Sequence, residues 1–274
     1  GPHPPPSKIK TPGGAQQPPT LFALIHKKYI SQSVLLAFLQ HGRFGGRRSM
    51  DILQAMHARH SVRAFTGQAI PPSSVQALQE ELARSNAESG LDLRLITDEP
   101  QAFSCFLAHY GKFSNVRNYI AVIGDKTPLA EERAGYYGER AVLLAQRLGL
   151  NTCWVALSFA QGKTKKSLCI GKGKKLFCLI AIGYGATQGV QHRSKSFAQV
   201  CNVQNPPAWF RAGVEAALLA PTAINQQKFR FELVGEREVR AVQTGGFCRG
   251  LDLGIVKYHF ECGAGKENFT WVKE

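Results

Sequence analysis

The residues best suited to chemistry begin with a short basic segment, RHSVRAF, at positions 59–65. Its two arginines stand four residues apart, with a serine midway between them. Guanidinium groups suit bidentate contact with phosphate oxygens, and a serine hydroxyl adds an uncharged donor. The spacing therefore predicts that Arg59, Ser61 and Arg63 converge on one phosphate group. A solvated basic helix end is the alternative that charge spacing leaves open.

A second polar segment, APTAINQQ, occupies positions 220–227 between an apolar helical pattern and an alternating, strand-like pattern. It combines a helix stop at Pro221, a hydroxyl at Thr222 and three consecutive amides. Amides both donate to and accept from the edge of a heterocycle without carrying charge, which suits the pyrimidine end of a flavin. A polar surface loop is the alternative reading. A third segment, HRSK at 192–195, offers two more cations to an anion, or forms a basic surface loop.

Composition narrows the class of protein. The chain has 274 residues and a formal net charge of +15, and residues 1–49 hold no Asp or Glu. A basic protein attracts anions in general, but we find no nucleic-acid module and expect no nucleic-acid partner. No run approaches the roughly 20 apolar residues of a membrane span. Seven cysteines without a CxxC pair indicate reduced thiols in a cytoplasmic protein, and no metal site is predicted.

The sequence predicts some of the helices and strands that must position these segments. The apolar runs YIAVIG at 119–124 and KLFCLIAIGYG at 175–185 predict core strands, and an apolar stripe ending at Gly149 predicts a helix. A helix-loop-strand pattern over 75–97 recurs at 211–234, which indicates a duplication. We predict three regions, namely a tail or extended N-terminus at 1–49, a half carrying the phosphate motif at 50–204, and a shorter half at 205–274.

Taken together, these segments resemble the nitroreductase family. RHSVRAF is similar to its flavin-phosphate motif, and APTAINQQ to its APSxxNxQ loop over the flavin. YYGERAVLLAQRLGLNTCWV at 136–155 resembles its central helix and following strand, while AIGYG at 181–185 with HRSK resembles its last core strand and basic tail. The resemblance covers residues 50–274 and implies an α+β fold, with a central, mostly antiparallel sheet wrapped by helices.

The order of the motifs resembles that of fused, internally duplicated nitroreductases. The place where the loop is expected reads ARSNAES at 83–89 and has lost the pattern, whereas the intact loop lies in the second half. The resemblance then implies an intrachain pseudo-dimer with one FMN per chain, as a monomer or a weak homodimer. The sequence departs from the family pattern at two places. Lys228 stands where many relatives have proline, and Leu157 and Ser158 replace a glycine near the flavin N5 edge.

The resemblance implies an FMN-dependent oxidoreductase that uses NADH or NADPH to reduce a small-molecule acceptor of nitroaromatic, quinone or enone type. Hydride would pass through the flavin, so no catalytic side chain is predicted. The residues that it assigns to cofactor binding are Arg59, His60, Ser61, Arg63, Trp154, Val155, Ala156, Leu157, Arg193, Lys195, Pro221, Thr222, Ala223, Asn225 and Gln227. Two other classes stay open, namely a flavin-binding sensor or carrier with little turnover, and a basic anion- or nucleic-acid-binding protein with a coincidental resemblance.

Overall fold

The computed structural model describes Gly1 and residues 50–272. The tail predicted at 1–49 therefore lies, Gly1 apart, outside the described residues. The helices are α1 (Ile52–Ala58), α2 (Pro72–Ser89), α3 (Phe106–Tyr110), α4 (Pro128–Arg147), α5 (Gln161–Ser167), α6 (Phe197–Val200), α7 (Ala208–Ala217) and α8 (Arg249–Ala264). The strands are β1 (Asp92–Ile96), β2 (Tyr119–Asp125), β3 (Asn151–Val155), β4 (Lys174–Gly183), β5 (Phe229–Leu233), β6 (Glu238–Gln243) and β7 (Thr270–Trp271).

The larger sheet has four strands in the order β1-β2-β4-β3, each antiparallel to its neighbour. The two apolar runs of the sequence form its central strands, β2 and β4, which are buried on both faces. One face packs against α2 and α4, and the other against the segments around residues 102–116 and 159–168. Since both faces are covered, the strands need no alternation of apolar and polar residues.

The smaller sheet has the order β5-β6-β7, with β5 antiparallel and β7 parallel to β6. Its core is aromatic, and the fully buried rings of Phe231 and Phe260 stack with their centroids 4.5 Å apart. Phe210 of α7 meets Phe260 edge to face at 5.6 Å. This cluster fixes α7 and α8 on the smaller sheet.

Helices α4 and α8 touch through their backbones. A Cβ added at Gly254 would lie 1.9 Å from the carbonyl oxygen of Glu132, and one added at Gly135 would lie 2.0 Å from that of Leu251. Lys257 pairs with Glu132 at 2.6 Å beside this crossing. Glycine is therefore required at both positions, because any side chain would push the helices apart.

The expected fold class is confirmed. A mixed α and β arrangement with a mostly antiparallel sheet is wrapped by helices, as the resemblance implied. Within residues 50–272, no helix has the length and apolar character that crossing a membrane would demand.

Replacing Gly254 with alanine should test this crossing. Because the added methyl overlaps a carbonyl group, we expect Gly254→Ala to lower the free energy of unfolding by about 1–3 kcal/mol. The measurement is urea unfolding followed by circular dichroism. Gly162→Ala is the matched control, since Gly162 lies in helix α5 with open space at its Cβ position. The control should be neutral or slightly stabilising, and equal losses in both variants would contradict the packing argument.

Candidate functional site

A cavity of about 540 Å³ lies where the two predicted halves meet. The first half lines it with residues around Ser61 and Arg63, with residues 110–113, with residues 153–158 at the end of β3, and with Cys178 of β4. The second half contributes residues 221–224, Phe247 and the beginning of α8. The cavity thus requires both halves, because each supplies only part of its wall.

The structure brings most of the predicted site residues to this one cavity. Those that line it are Ser61, Arg63, Trp154, Val155, Ala156, Leu157, Pro221, Thr222 and Ala223. The other six, Arg59, His60, Arg193, Lys195, Asn225 and Gln227, are not among the residues that line it.

The segment after α1 is held along the edge of β3. Ser61 forms a parallel bridge with Thr152, and the amide of Val62 donates to the Thr152 carbonyl at 3.0 Å. The carbonyl of Arg63, the residue after Val62, accepts from the amide of Ser114 at 3.0 Å. Val62 is buried in the core, so the extended backbone directs its neighbours Ser61 and Arg63 away from the core, where both line the cavity.

Arg59, at the start of this segment, is a buried cation. Only 3% of it is exposed, and its Nε atom has no hydrogen-bond partner among the described residues. Burial lowers the pKa of Arg59, whereas the carboxylate of Glu139 opposes that shift. The pKa values of His60 and His192 are lowered by burial, and the charge of Arg59 adds to the effect. The unpartnered Nε is also the atom nearest to Glu139, 4.0 Å from its Oε1, and Arg59 stands outside the residues that line the cavity.

Trp154 forms part of the cavity wall and is fixed from behind. Its Nε1 donates to Oε2 of Glu139 at 2.9 Å. Its ring lies against helix α4 at Gly138, where an added Cβ would stand 2.4 Å from the ring. The absence of a side chain at Gly138 therefore leaves room for the six-membered ring of the indole against α4.

The loop at 221–227 has an unusual backbone. Ile224, Asn225 and Gln227 have φ values of +46°, +55° and +46°, and a left-handed conformation is costly for a β-branched residue such as isoleucine. Asp252 of α8 holds the loop, because its Oδ1 accepts from the Ala223 amide at 2.9 Å and its Oδ2 from Gln226 Nε2 at 2.8 Å. Strain of this kind persists only where surrounding contacts enforce it, and it is common at binding sites.

The predicted loop amides bind the predicted basic segment rather than the cavity. Asn225 Nδ2 and Gln227 Nε2 both donate to the Arg193 carbonyl, at 2.9 and 2.8 Å. In return, the amide and Nζ of Lys195 donate to the side chain and backbone of Gln227, at 2.8 and 2.6 Å. The two motifs therefore form one unit that holds Thr222 and Ala223 at the cavity.

Sequence reasoning missed several lining residues. Asp252 was detectable only as an acid in the first turn of a predicted helix, which is a common position. Tyr110 and Phe247 carry no motif, yet both are exposed at this cavity, as are Leu157 and Ile224. These four side chains give the cavity an exposed apolar rim, and large exposed apolar groups that cluster in this way indicate a binding surface.

Comparison with family models and solved structures gives matches to this chain. A family model described as "Putative TM nitroreductase" matches residues 51–264. A solved structure described as a "putative nitroreductase" from Thermotoga maritima matches 86% of this chain and 93% of its own, at 20% identity and a TM-score of 0.60. This likeness shows the fold. No curated protein matches the chain in sequence.

Two further structures are similar over about half of the chain. An FMN-dependent nitroreductase from Clostridium difficile aligns with 48% of this chain and 87% of its own, at 17% identity and a TM-score of 0.41. A nitroreductase-like protein from Streptococcus mutans aligns with 56% of this chain and 98% of its own, at 12% identity and a TM-score of 0.48.

The burial of Asp252 predicts a specific pH dependence. Burial raises the pKa of this carboxyl from 3.8 to about 6, although its hydrogen bonds from Gln226 and Ala223 oppose the shift. The folded protein therefore holds this proton more tightly than the unfolded chain does. Its contribution to the free energy of unfolding should be greatest near pH 4 and should fall by up to about 3 kcal/mol as the pH rises past 6.

The measurement is urea unfolding of the wild type and of Asp252→Asn between pH 4 and 7. The difference between the two free energies of unfolding should change across this range. Asp125→Asn is the control, because Asp125 is an exposed carboxylate at the end of β2 that pairs with Lys174. Parallel curves for the wild type and Asp252→Asn would show that Asp252 does not titrate as described.

Proposed function

The chain belongs to this nitroreductase family, and on that premise we propose that it is an FMN-dependent oxidoreductase that uses NADH or NADPH to reduce a small-molecule acceptor. One observation carries the proposal. A single cavity is lined by the predicted phosphate-contact residues Ser61 and Arg63 from one half and by the predicted flavin-ring residues Thr222 and Ala223 from the other.

Different residues of the chain would bind the phosphate and the ring of the cofactor. Arg59, Ser61 and Arg63 would bind the phosphate, since they combine one buried cation with a hydroxyl and a second cation at the cavity. Residues 154–157 would form one wall of the ring site, and Thr222 with Ala223 the other. FMN supplies the hydride chemistry when it is bound, so the protein needs to orient it and to admit the acceptor.

The element order supports a fused arrangement with one FMN per chain. If the short helix α3 between β1 and β2 is left aside, the first half contains the series α2-β1-β2-α4-β3, and the second contains α7-β5-β6-α8-β7. In each half the first two strands are antiparallel, and the strand after the long helix has the same direction as the strand before it. We place the boundary between the halves after residue 204. Only the first half contains the phosphate motif.

The rim of the cavity supports an apolar acceptor. Tyr110 is 80% exposed, Ile224 82%, Leu157 63% and Phe247 42%, and all four line the same cavity. Such a rim would cover the faces of a planar, poorly hydrated molecule, and the gain would follow the apolar area removed from water. Nitroaromatics, quinones and enones are molecules of this planar, poorly hydrated kind.

Anaerobic reduction of the FMN-loaded protein tests the proposal. NADH or NADPH should bleach the flavin absorbance, and menadione should restore it. The double variant Ser61→Ala/Arg63→Ala should need at least about tenfold more FMN for half-maximal turnover, because it loses a hydroxyl donor and a cation to the phosphate. Both residues are exposed, so this variant spares the core.

The control is Arg84→Ala, which removes an arginine that lies on α2 with 61% of its side chain exposed. It should leave the FMN requirement unchanged. Bound flavin that neither nucleotide bleaches would instead favour a binding protein with little turnover, and a protein that takes up no FMN would refute the proposal.

A further inference from the structure

A charged cluster lies buried between α4, α8 and the end of α1. Glu139 and His259 have no exposed surface, and Arg59 is 3% exposed. Oε1 of Glu139 lies 2.9 Å from Nε2 of His259 and 4.0 Å from Nε of Arg59. Residues from both predicted halves therefore meet at a single carboxylate, directly behind the cavity wall at Trp154.

Both polar atoms of Glu139 and of His259 have hydrogen-bond partners, whereas Nε of Arg59 has none among the described residues. Nδ1 of His259 lies 3.1 Å from the Ala216 carbonyl and Nε2 lies 2.9 Å from Oε1 of Glu139, so both ring nitrogens face oxygens that accept. Oε2 of Glu139 accepts from Trp154 Nε1, and its Oε1 contacts His259. At 4.0 Å, Arg59 lies beyond hydrogen-bond distance of Glu139. Glu139 therefore acts on Arg59 through charge, and the guanidinium keeps a free donor.

The charge of Glu139 matters most when no cofactor is bound. A buried guanidinium without a counter-charge would destabilise the fold by several kcal/mol. Among the described residues, Glu139 is the one carboxylate within 4.0 Å of Arg59. Ser61 and Arg63 line the cavity and follow Arg59 within four residues, so a phosphate bound by them would bring a second negative charge near the same guanidinium.

We propose that Glu139 is the resident counter-ion of the phosphate-binding arginine, holding Arg59 in place in the absence of cofactor and sharing it with the FMN phosphate afterwards. Glu139 is a positioning residue in this scheme, because it would act on the cofactor only through Arg59 and Trp154. The inference rests on the proposed function for the identity of the anion. It adds a direct link between cofactor phosphate and the packing of α8 on α4.

The test is thermal unfolding of Glu139→Gln without cofactor, with FMN, with riboflavin and with inorganic phosphate. Glutamine keeps the shape of the side chain. It can still accept from Trp154, and its amide can donate to Nε2 of His259, so these hydrogen bonds are kept while the carboxylate charge is lost. The Tm of the cofactor-free variant should fall by about 6–15 °C. FMN should restore most of that loss, inorganic phosphate at high concentration a part of it, and riboflavin, which lacks the phosphate, almost none.

Tyr136→Phe is the matched control, since Tyr136 lies on the same helix and bonds to Glu261 of α8 at 2.5 Å, away from Arg59. Its Tm should respond to FMN and to riboflavin as the wild type does. If FMN and riboflavin restore Glu139→Gln equally, the role of Glu139 is packing and the inference is wrong. If FMN binds none of these proteins, the proposed function is wrong, and the cofactor-free comparison below still decides the counter-ion role.

The double variant Arg59→Met/Glu139→Gln covers the case in which Glu139→Gln does not fold. Removing both charges of a buried pair is often neutral for stability. The cofactor-free double variant should therefore unfold near the wild-type Tm, and FMN should raise its Tm above that with riboflavin by less than in the wild type, because Ser61 and Arg63 remain. A double variant as unstable as Glu139→Gln alone would overturn the inference, because the loss would then not come from the charge of Arg59.

Discussion

The backbone contact between α4 and α8 is the constraint on which the rest of the structure depends. Gly135 and Gly254 let the two long helices approach until carbonyl oxygens occupy the space of absent side chains. Each helix belongs to a different sheet system, so this approach sets how the halves face each other. The cavity lies at that junction, and its width therefore follows from two glycines that do not line it.

Polar groups along the same crossing connect packing to the site. Lys257 pairs with Glu132 near the glycines, and further along α4 the buried Glu139 meets His259. Glu139 also holds the indole of Trp154, whose ring belongs to the cavity wall. Removing one partner of a buried charged pair is costly, whereas a complete set is stable. The relative position of the halves and the shape of the cavity thus depend on one set of contacts.

Local sequence patterns were enough to predict the core strands and several segments that line the cavity. β2 and β4 are continuous apolar runs, and Ser61, Thr222 and Ala223 stand in segments whose residue types already suit a flavin. Asp252, Glu139 and His259 were not predicted, because each depends on a partner distant along the chain, 120 residues away for Glu139 and His259. The roles of Asn225 and Gln227 also differ from a reading of composition, since their amides bind the 193–195 backbone.

The central claim is that one chain forms one asymmetric flavin site from unlike halves. Titrating the cofactor-free protein with FMN under stoichiometric conditions, with flavin fluorescence as the signal, tests it most directly. The account predicts saturation at one FMN per chain. Saturation at two would contradict it, because a second site would need another phosphate-binding segment, and the second half has none like RHSVRAF.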